Sequence, residues 1–177
     1  MNASKKLLRA NGGNIVIDLE LETEVVHLLG FTLSLAHSLS RLIRKATRRL
    51  PQDQCQQVIA GVSALIAGLQ QDLEAEKAAL AGPKVAVEAY SAYSYGFKRQ
   101  IFLNDPFAVA VVLILADLDK LAQQWLALSM PGKLGIEVSF YKTLEWRERF
   151  QSASAEVKSL GIQWNLRREP KPQINRR

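Results

Sequence analysis

Over 177 residues the chain carries 23 Lys/Arg against 17 Asp/Glu, a net charge of +6, with 48% hydrophobic and 23% charged residues. That is enough for one well-buried domain or two small ones, and it excludes disorder over most of the length. Cys55 alone excludes an internal disulfide, and His27 and His37 form no cluster that could hold zinc, so a reduced, cytoplasmic protein with no metal or cofactor is expected.

No apolar run of signal-peptide length follows the basic N-terminus. In residues 14–21, Ile15, Ile17, Leu19 and Leu21 alternate with Val16, Asp18 and Glu20, the pattern of a strand with one buried face. A lone short strand ahead of helices lacks edge partners, so pairing with a second copy is expected, giving a homodimer built on residues 14–50. A helix is predicted from near Thr23, with Gly30 as its weak point. It either continues through residue 50 or breaks around His37 and Ser38, where Ser38 and Ser40 both qualify as N-caps.

From Leu35 to Leu50 the period is plainly helical, with Leu35, Leu39, Leu42, Ile43, Ala46 and Leu50 on one side and Arg41, Arg44, Lys45, Arg48 and Arg49 on the other. Pro51 stops that helix. A second long helix is predicted from about Asp53 to Ala81, ended by Gly82-Pro83. Its Asp72, Glu74 and Glu76 read as a solvated face, with the arginine helix as the alternative partner.

Residues 84–103 carry β-branched and aromatic residues, and two short antiparallel strands are expected there. Tyr90, Tyr93, Tyr95 and Phe97 beside Lys98 and Arg99 read as a half-buried sheet face, with a base-stacking surface as the alternative. Asp105-Pro106 is a helix start, an N-cap followed by proline at the first helical position. Within that helix Phe107 to Ala116 is strongly apolar, but Asp117 and Asp119 interrupt it short of a membrane span, so a buried core helix is expected. Two residues apart on a helix means about 200° apart, so at most one of these aspartates faces inward.

After Pro131-Gly132, a last helix from about Val138 to Leu160 is expected to direct Phe140, Leu144, Phe150 and Val157 to the core. A short strand after Gly161 and a mobile Pro- and Arg-rich tail complete the prediction. The domain reading is 1–51 for DNA binding and dimerisation, 52–166 for a helical domain with a β segment at 84–103, and 167–177 for the basic tail. The fold class is mainly α with a small β component.

Charge distribution narrows the function. Residues 1–50 hold eight Lys/Arg against Asp18, Glu20, Glu22 and Glu24, and residues 161–177 hold five against Glu169 alone, so each end carries about +4. Two basic ends favour a polyanion, with nucleic acid ahead of a membrane. The sequence has no Gly-rich phosphate loop, no G-x-S-x-G and no H-E-x-x-H, and an enzyme is not expected.

The stretch Ser40-Arg41-Leu42-Ile43-Arg44-Lys45-Ala46 resembles the opening of the second helix in ribbon-helix-helix DNA-binding proteins. In that family a Ser cap and helix N-terminal amides hold a phosphate, and an upstream strand pairs with its dimer mate in the major groove. The resemblance implies phosphate contacts from Ser38, Ser40, Arg41, Arg44, Lys45 and Arg48. It also implies double-stranded DNA as the partner, with base reading from the arm and ribbon, namely Lys5, Lys6, Arg9, Asn11, Asn14, Val16 and Asp18. Ala36-His37 stands where the family usually has a glycine between the helices, and Asp18 and Glu20 put two carboxylates on the groove-facing side.

A second resemblance covers roughly residues 14–166. Asn104-Asp105-Pro106-Phe107-Ala108 and Leu115-Ala116-Asp117-Leu118-Asp119-Lys120-Leu121 are similar to the N-P-Y-A and L-A-D-Y-D signatures of the AcaB-like family of integrative and conjugative elements and conjugative plasmids. The likeness runs on through the glycine-containing turn at Gly132 to Gly135 and the last helix. It implies a transcriptional activator of conjugation genes, with other transfer regulators as further partners and no membrane. The motif residues themselves read as structural, with Asp105 as a cap and Leu115 and Leu118 in the core. Two other functions remain open, a protein-interaction component of conjugation machinery and a single-strand or RNA binder.

Overall fold

The computed structural model describes residues 8–11, 14–80, 96–128 and 134–166. It is mainly helical with one small sheet. In chain order it has strands β1 (Leu8–Asn11) and β2 (Asn14–Leu21), a 3-10 turn (Glu24–Leu28), and helices α1 (Leu29–Arg49) and α2 (Gln52–Ala79). Strand β3 (Phe97–Leu103) and helices α3 (Pro106–Leu128) and α4 (Leu134–Gln163) follow.

The sheet is antiparallel in the order β1-β2-β3. As the alternation requires, Ile17, Leu19 and Leu21 are buried in the core with Ile15 packed beside them. The expectation that β2 pairs with a second copy is overturned. Both edges of β2 are hydrogen-bonded within the chain, Arg9 lying opposite Val16 on one side and Phe102 opposite Val16 on the other. β1 is only four residues long and has no apolar alternation to announce it. Its register sets Asn11 opposite Asn14, so only Gly12-Gly13 joins the strands, a composition suited to a two-residue hairpin connection. Of the two strands expected in 84–103, the second is β3, while the first and Tyr90, Tyr93 and Tyr95 lie outside the described residues.

α1 runs unbroken through His37 and Ser38. Leu35, Ala36, Leu39, Leu42 and Ala46 form one buried row against α3 and α4. Burying such side chains gains about 1.5–3 kcal/mol each, against about 0.5 kcal/mol for a serine in a helix interior. The segment 24–49 is long and apolar enough to cross a membrane by length and composition. Here its apolar row is spent on the core and its last turns carry the arginines. Leu50 turns extended at ψ 148° ahead of Pro51, as a residue before proline must.

α3 is buried on nearly every side, with Val111, Val112, Leu115, Leu118 and Ala122 among its sealed residues, the mark of a central helix. Asp105 caps it as expected, accepting from the amides of Phe107 at 2.7 Å and Ala108 at 3.3 Å. Of the two aspartates Asp119 is the inward one, 1% exposed. Its Oδ1 accepts from the Thr23 amide at 2.9 Å and the Thr23 hydroxyl at 2.7 Å, and its two oxygens take the Glu22 amide at 3.1 and 3.0 Å. The end of β2 is thereby fastened to α3, and Thr23 in turn caps the 3-10 turn through the Val25 amide.

The acidic residues of α2 meet α4 and not the arginine helix, and the solvated-face reading holds for Asp72 and Glu74 but not for Glu76. Glu76, 8% exposed, lies 3.1 Å from Lys142 Nζ and 3.5 Å from Arg149, and Asp72 lies 3.4 Å from Arg149. Asp72 and Glu74 are both exposed, Glu74 beside Lys77.

α4 is longer than predicted, and residues 161–163 belong to it in place of the expected strand. Its buried row is Ser139, Thr143, Trp146, Phe150, Ala153 and Val157, while Phe140, expected in the core, is exposed and Leu144 is half-buried. A single hydrophobic core takes in Ile17 and Leu35 from the first 51 residues and Leu115 and Phe150 from the rest, so it runs across the expected domain boundary.

Candidate nucleic-acid interface

α1 sets its buried row against the bundle and so turns Arg41, Arg44 and Arg48 outward; all three are exposed. At 1.5 Å rise per residue the outer two are about 10 Å apart along the axis. Among the described residues no carboxylate forms an ion pair with any of the three. Arg99, Arg147 and Lys158 are likewise exposed and without an ion pair among the described residues, but they are scattered over β3 and α4. Lys77, Lys98, Lys120, Lys142 and Arg149 are each paired with an acid. About 10 Å of duplex axis carries roughly six phosphate charges, so the row is matched in scale to a polyanion. Arg48 and Arg49 also sit in the last turn of α1, where cations offset the helix dipole by about 0.3–1 kcal/mol. Arg41 and Arg44 are too far from that end for the same account.

Ser38 and Ser40 are half-buried in the middle of α1. The phosphate site expected at a Ser-capped helix start is therefore absent, because amides inside a helix are committed to their own carbonyls. Lys45 is also diverted. It is half-buried, and its Nζ donates to the Leu166 carbonyl at 3.1 Å.

Of the residues expected to read bases, Val16 and Asp18 lie on the outer face of the sheet, where their neighbours on β3 occupy them. Asp18 accepts from Gln100 Nε2 at 2.8 Å, and Glu20 is 3.5 Å from Lys98 Nζ. Val16 is 7% exposed beside Phe102, which is 62% exposed. The side chains of Arg9, Asn11 and Asn14 lie outside the described residues, as do Lys5 and Lys6 entirely. Sequence reasoning missed Gln100 and Phe102, and it named Lys98 only beside the aromatic residues. Their alternation with Arg99 and Ile101 was visible, but it acquires meaning only once β3 is paired with β2.

An open groove of about 530 Å³ runs between α2 and α4, lined by Gly61, Leu65, Asp72, Arg149, Glu156 and Leu160. The Arg149 guanidinium is spent on Asp72 and on the face of Trp146, 4.8 Å from the ring centre. No set of three or more His, Cys, Asp or Glu residues among those described is arranged to hold a metal.

A solved structure, selenomethionine-containing AcaB from uropathogenic E. coli, superposes with a TM-score of 0.64 over 86% of this chain and 83% of that one, at 16% sequence identity. The likeness is one of fold. No family model and no curated protein matches the sequence.

Proposed function

We propose that the chain binds duplex DNA through the exposed face of α1 and acts as a regulator of conjugative-transfer genes. The observation that carries the DNA part is the row Arg41, Arg44 and Arg48, exposed and without an acidic partner among the described residues. Lone guanidinium groups on a rigid helix give phosphate contacts, which supply affinity without reading sequence. The regulatory part is supported by the fold shared with AcaB and by the resemblance of residues 104–108 and 115–121 to the AcaB-like signatures. A homodimer is the binding unit in this reading, since two-fold proteins suit two-fold sites. Its interface has to lie away from the edges of β2.

Fluorescence anisotropy of a labelled duplex across a salt series tests the proposal. Each neutralised phosphate contributes about 0.9 to the slope of log K against log salt. Replacing Arg41, Arg44 and Arg48 with Gln is expected to reduce that slope by up to about 2.7 and to weaken specific and random duplexes alike. Salt-independent binding by the unaltered protein defeats the proposal. A footprint on the element that carries the gene tests the regulatory part.

A further inference from the structure

The arginine row of α1 continues toward the start of the helix. Arg48, Arg44 and Arg41 are spaced by four and three residues, and a further step of four reaches His37, which is also exposed. At 100° per residue these four positions fall within about 60° of one another in projection, and His37 stands one turn, about 6 Å, from Arg41 along the axis. Beyond it the same face carries the exposed Ser34 and Gly30 and no cation. His37 is thus the last position of α1 on this face that can bear positive charge.

Its surroundings leave it free for a ligand. On α1 the charged groups facing His37 are Arg41 and Arg44, both cations. Leu35 and Leu39, two residues away on either side, are about 200° round the helix, so the elements packed on α1 lie behind His37. Their acids are engaged elsewhere: Asp72 and Glu76 of α2 with Arg149, Glu145 of α4 with Lys142, Asp117 of α3 with Lys77 and Lys120, and Asp119 with Thr23. Glu24 of the 3-10 turn, Asp53 of α2, and Glu148 and Glu156 of α4 make no pair with it, and neither do Arg147 and Lys158 stand opposite it with an acid between. Among the described residues His37 has no carboxylate partner.

Histidine is the side chain whose charge changes between about pH 5 and 8. With a neutral imidazole the face has three cations over about 10 Å, and with an imidazolium it has four over about 16 Å, the axial length that carries roughly ten phosphate charges of a duplex. A phosphate held beside the ring favours its charged form, so binding takes up a proton and, by the same linkage, acid tightens binding. We propose that His37 is a fourth phosphate-contacting residue of the α1 face and that it makes the polyanion affinity of that face depend on pH. The inference rests on the DNA-binding reading above and adds to it one residue and its regulation.

The test follows anisotropy of a labelled random duplex from pH 8 to pH 5.5 over a salt series. The full-length proteins compared are the unaltered chain, His37→Gln, His37→Arg, His27→Gln, and the variant with Arg41, Arg44 and Arg48 changed to Gln. Binding by the unaltered protein is expected to tighten about two- to fivefold toward acid, the worth of one exposed ion pair, with a salt slope steeper by up to about 0.9. His37→Gln should stay at the weaker level and His37→Arg at the tighter one, both without the pH response, while His27→Gln keeps it. Calorimetry near pH 6.5 in two buffers of different ionisation enthalpy should show proton uptake on binding by the unaltered protein and none by His37→Gln, a difference that a merely structural histidine would not produce. A pH response that survives in His37→Gln or disappears in His27→Gln overturns the inference, as does His37→Arg binding no tighter than His37→Gln. A flat pH profile in an unaltered protein that still depends on salt and on the three arginines also overturns it and leaves the DNA-binding reading standing. Binding that depends on neither salt nor the arginines defeats both.

Discussion

Asp117 and Asp119 are two residues apart on α3, yet their removal should differ several-fold in cost. Asp119→Ala strips the acceptor from the Glu22 and Thr23 amides and from the Thr23 hydroxyl, at a residue 1% exposed. A buried donor left without a partner costs about 1–3 kcal/mol. With the Thr23 groups buried and the Glu22 amide part-buried, the expected loss is about 3–5 kcal/mol, or some 6–20 °C in Tm for a chain of this size. Asp117 instead makes ion pairs of 3.8 Å with Lys77 and 3.7 Å with Lys120, with its side chain 28% exposed. Pairs of that kind contribute at most about 1 kcal/mol. Urea unfolding followed by far-ultraviolet circular dichroism measures both. Asp119→Asn, which keeps one acceptor oxygen, should fall between the two alanine variants. Equal losses for Asp117→Ala and Asp119→Ala would refute the assignment of Asp119 as the tie between β2 and α3.

Ser40→Ala separates the present site from one at a helix start. Ser40 lies within α1, so the change should leave duplex affinity within about twofold and stability equal or slightly higher, by up to about 0.5 kcal/mol from helix propensity. A large fall in affinity would restore an amide-bound phosphate. The cluster joining α2 to α4 should show in alkaline unfolding. Burial works against the Lys142 ammonium, but hydrogen bonds to Glu145 and Glu76 and the charges of those two acids outweigh it and hold the pKa above 10.5. A raised folded-state pKa means that the contribution is complete below the unfolded value and is lost as pH rises through the folded one. The urea midpoint should therefore drop above about pH 10.5 in the unaltered protein and drop less in Lys142→Met. An equal drop in both would remove Lys142 from the account.

What could be read in the sequence was what depends on near neighbours. The alternation of Ile15 to Leu21 fixes a strand face whatever the strand pairs with, and Asp105-Pro106 and Pro51 act within one turn of chain. The pairings were not legible. Thr23 with Asp119, Asp18 with Gln100 and Lys45 with Leu166 join residues 96, 82 and 121 positions apart, and polar partners chosen across such distances leave no period behind. The register of α4 was misjudged because its buried row opens with Ser139 and Thr143. Their hydroxyls hid the stripe that Trp146 and Phe150 continue, and exposed Phe140 then looked like a core residue. At Ser38 and Ser40 a local preference for capping competed with burial of the whole Leu35 to Ala46 row, and the larger free energy prevailed.

That outcome changes what the basic stripe can do. A helix start offers fixed amides and a dipole, which hold one phosphate in one place and so set the register of everything around it. Arg41, Arg44 and Arg48 offer only long side chains on the flank of α1, free to follow whichever phosphates pass. Such contacts raise affinity for any duplex and hardly orient it. Among the described residues of the outer sheet face, Asp18 and Glu20 could orient it only by giving up existing bonds, since Asp18 is held by Gln100 and Glu20 by Lys98. If the chain is specific, that cost must appear as weaker coupling between sequence and affinity than in a protein whose reading residues are free. On the proposed DNA-binding reading, Gln100→Ala, which releases Asp18, is expected to change sequence preference more than total affinity, whereas the arginine variants change total affinity, and anisotropy against specific and random duplexes separates the two.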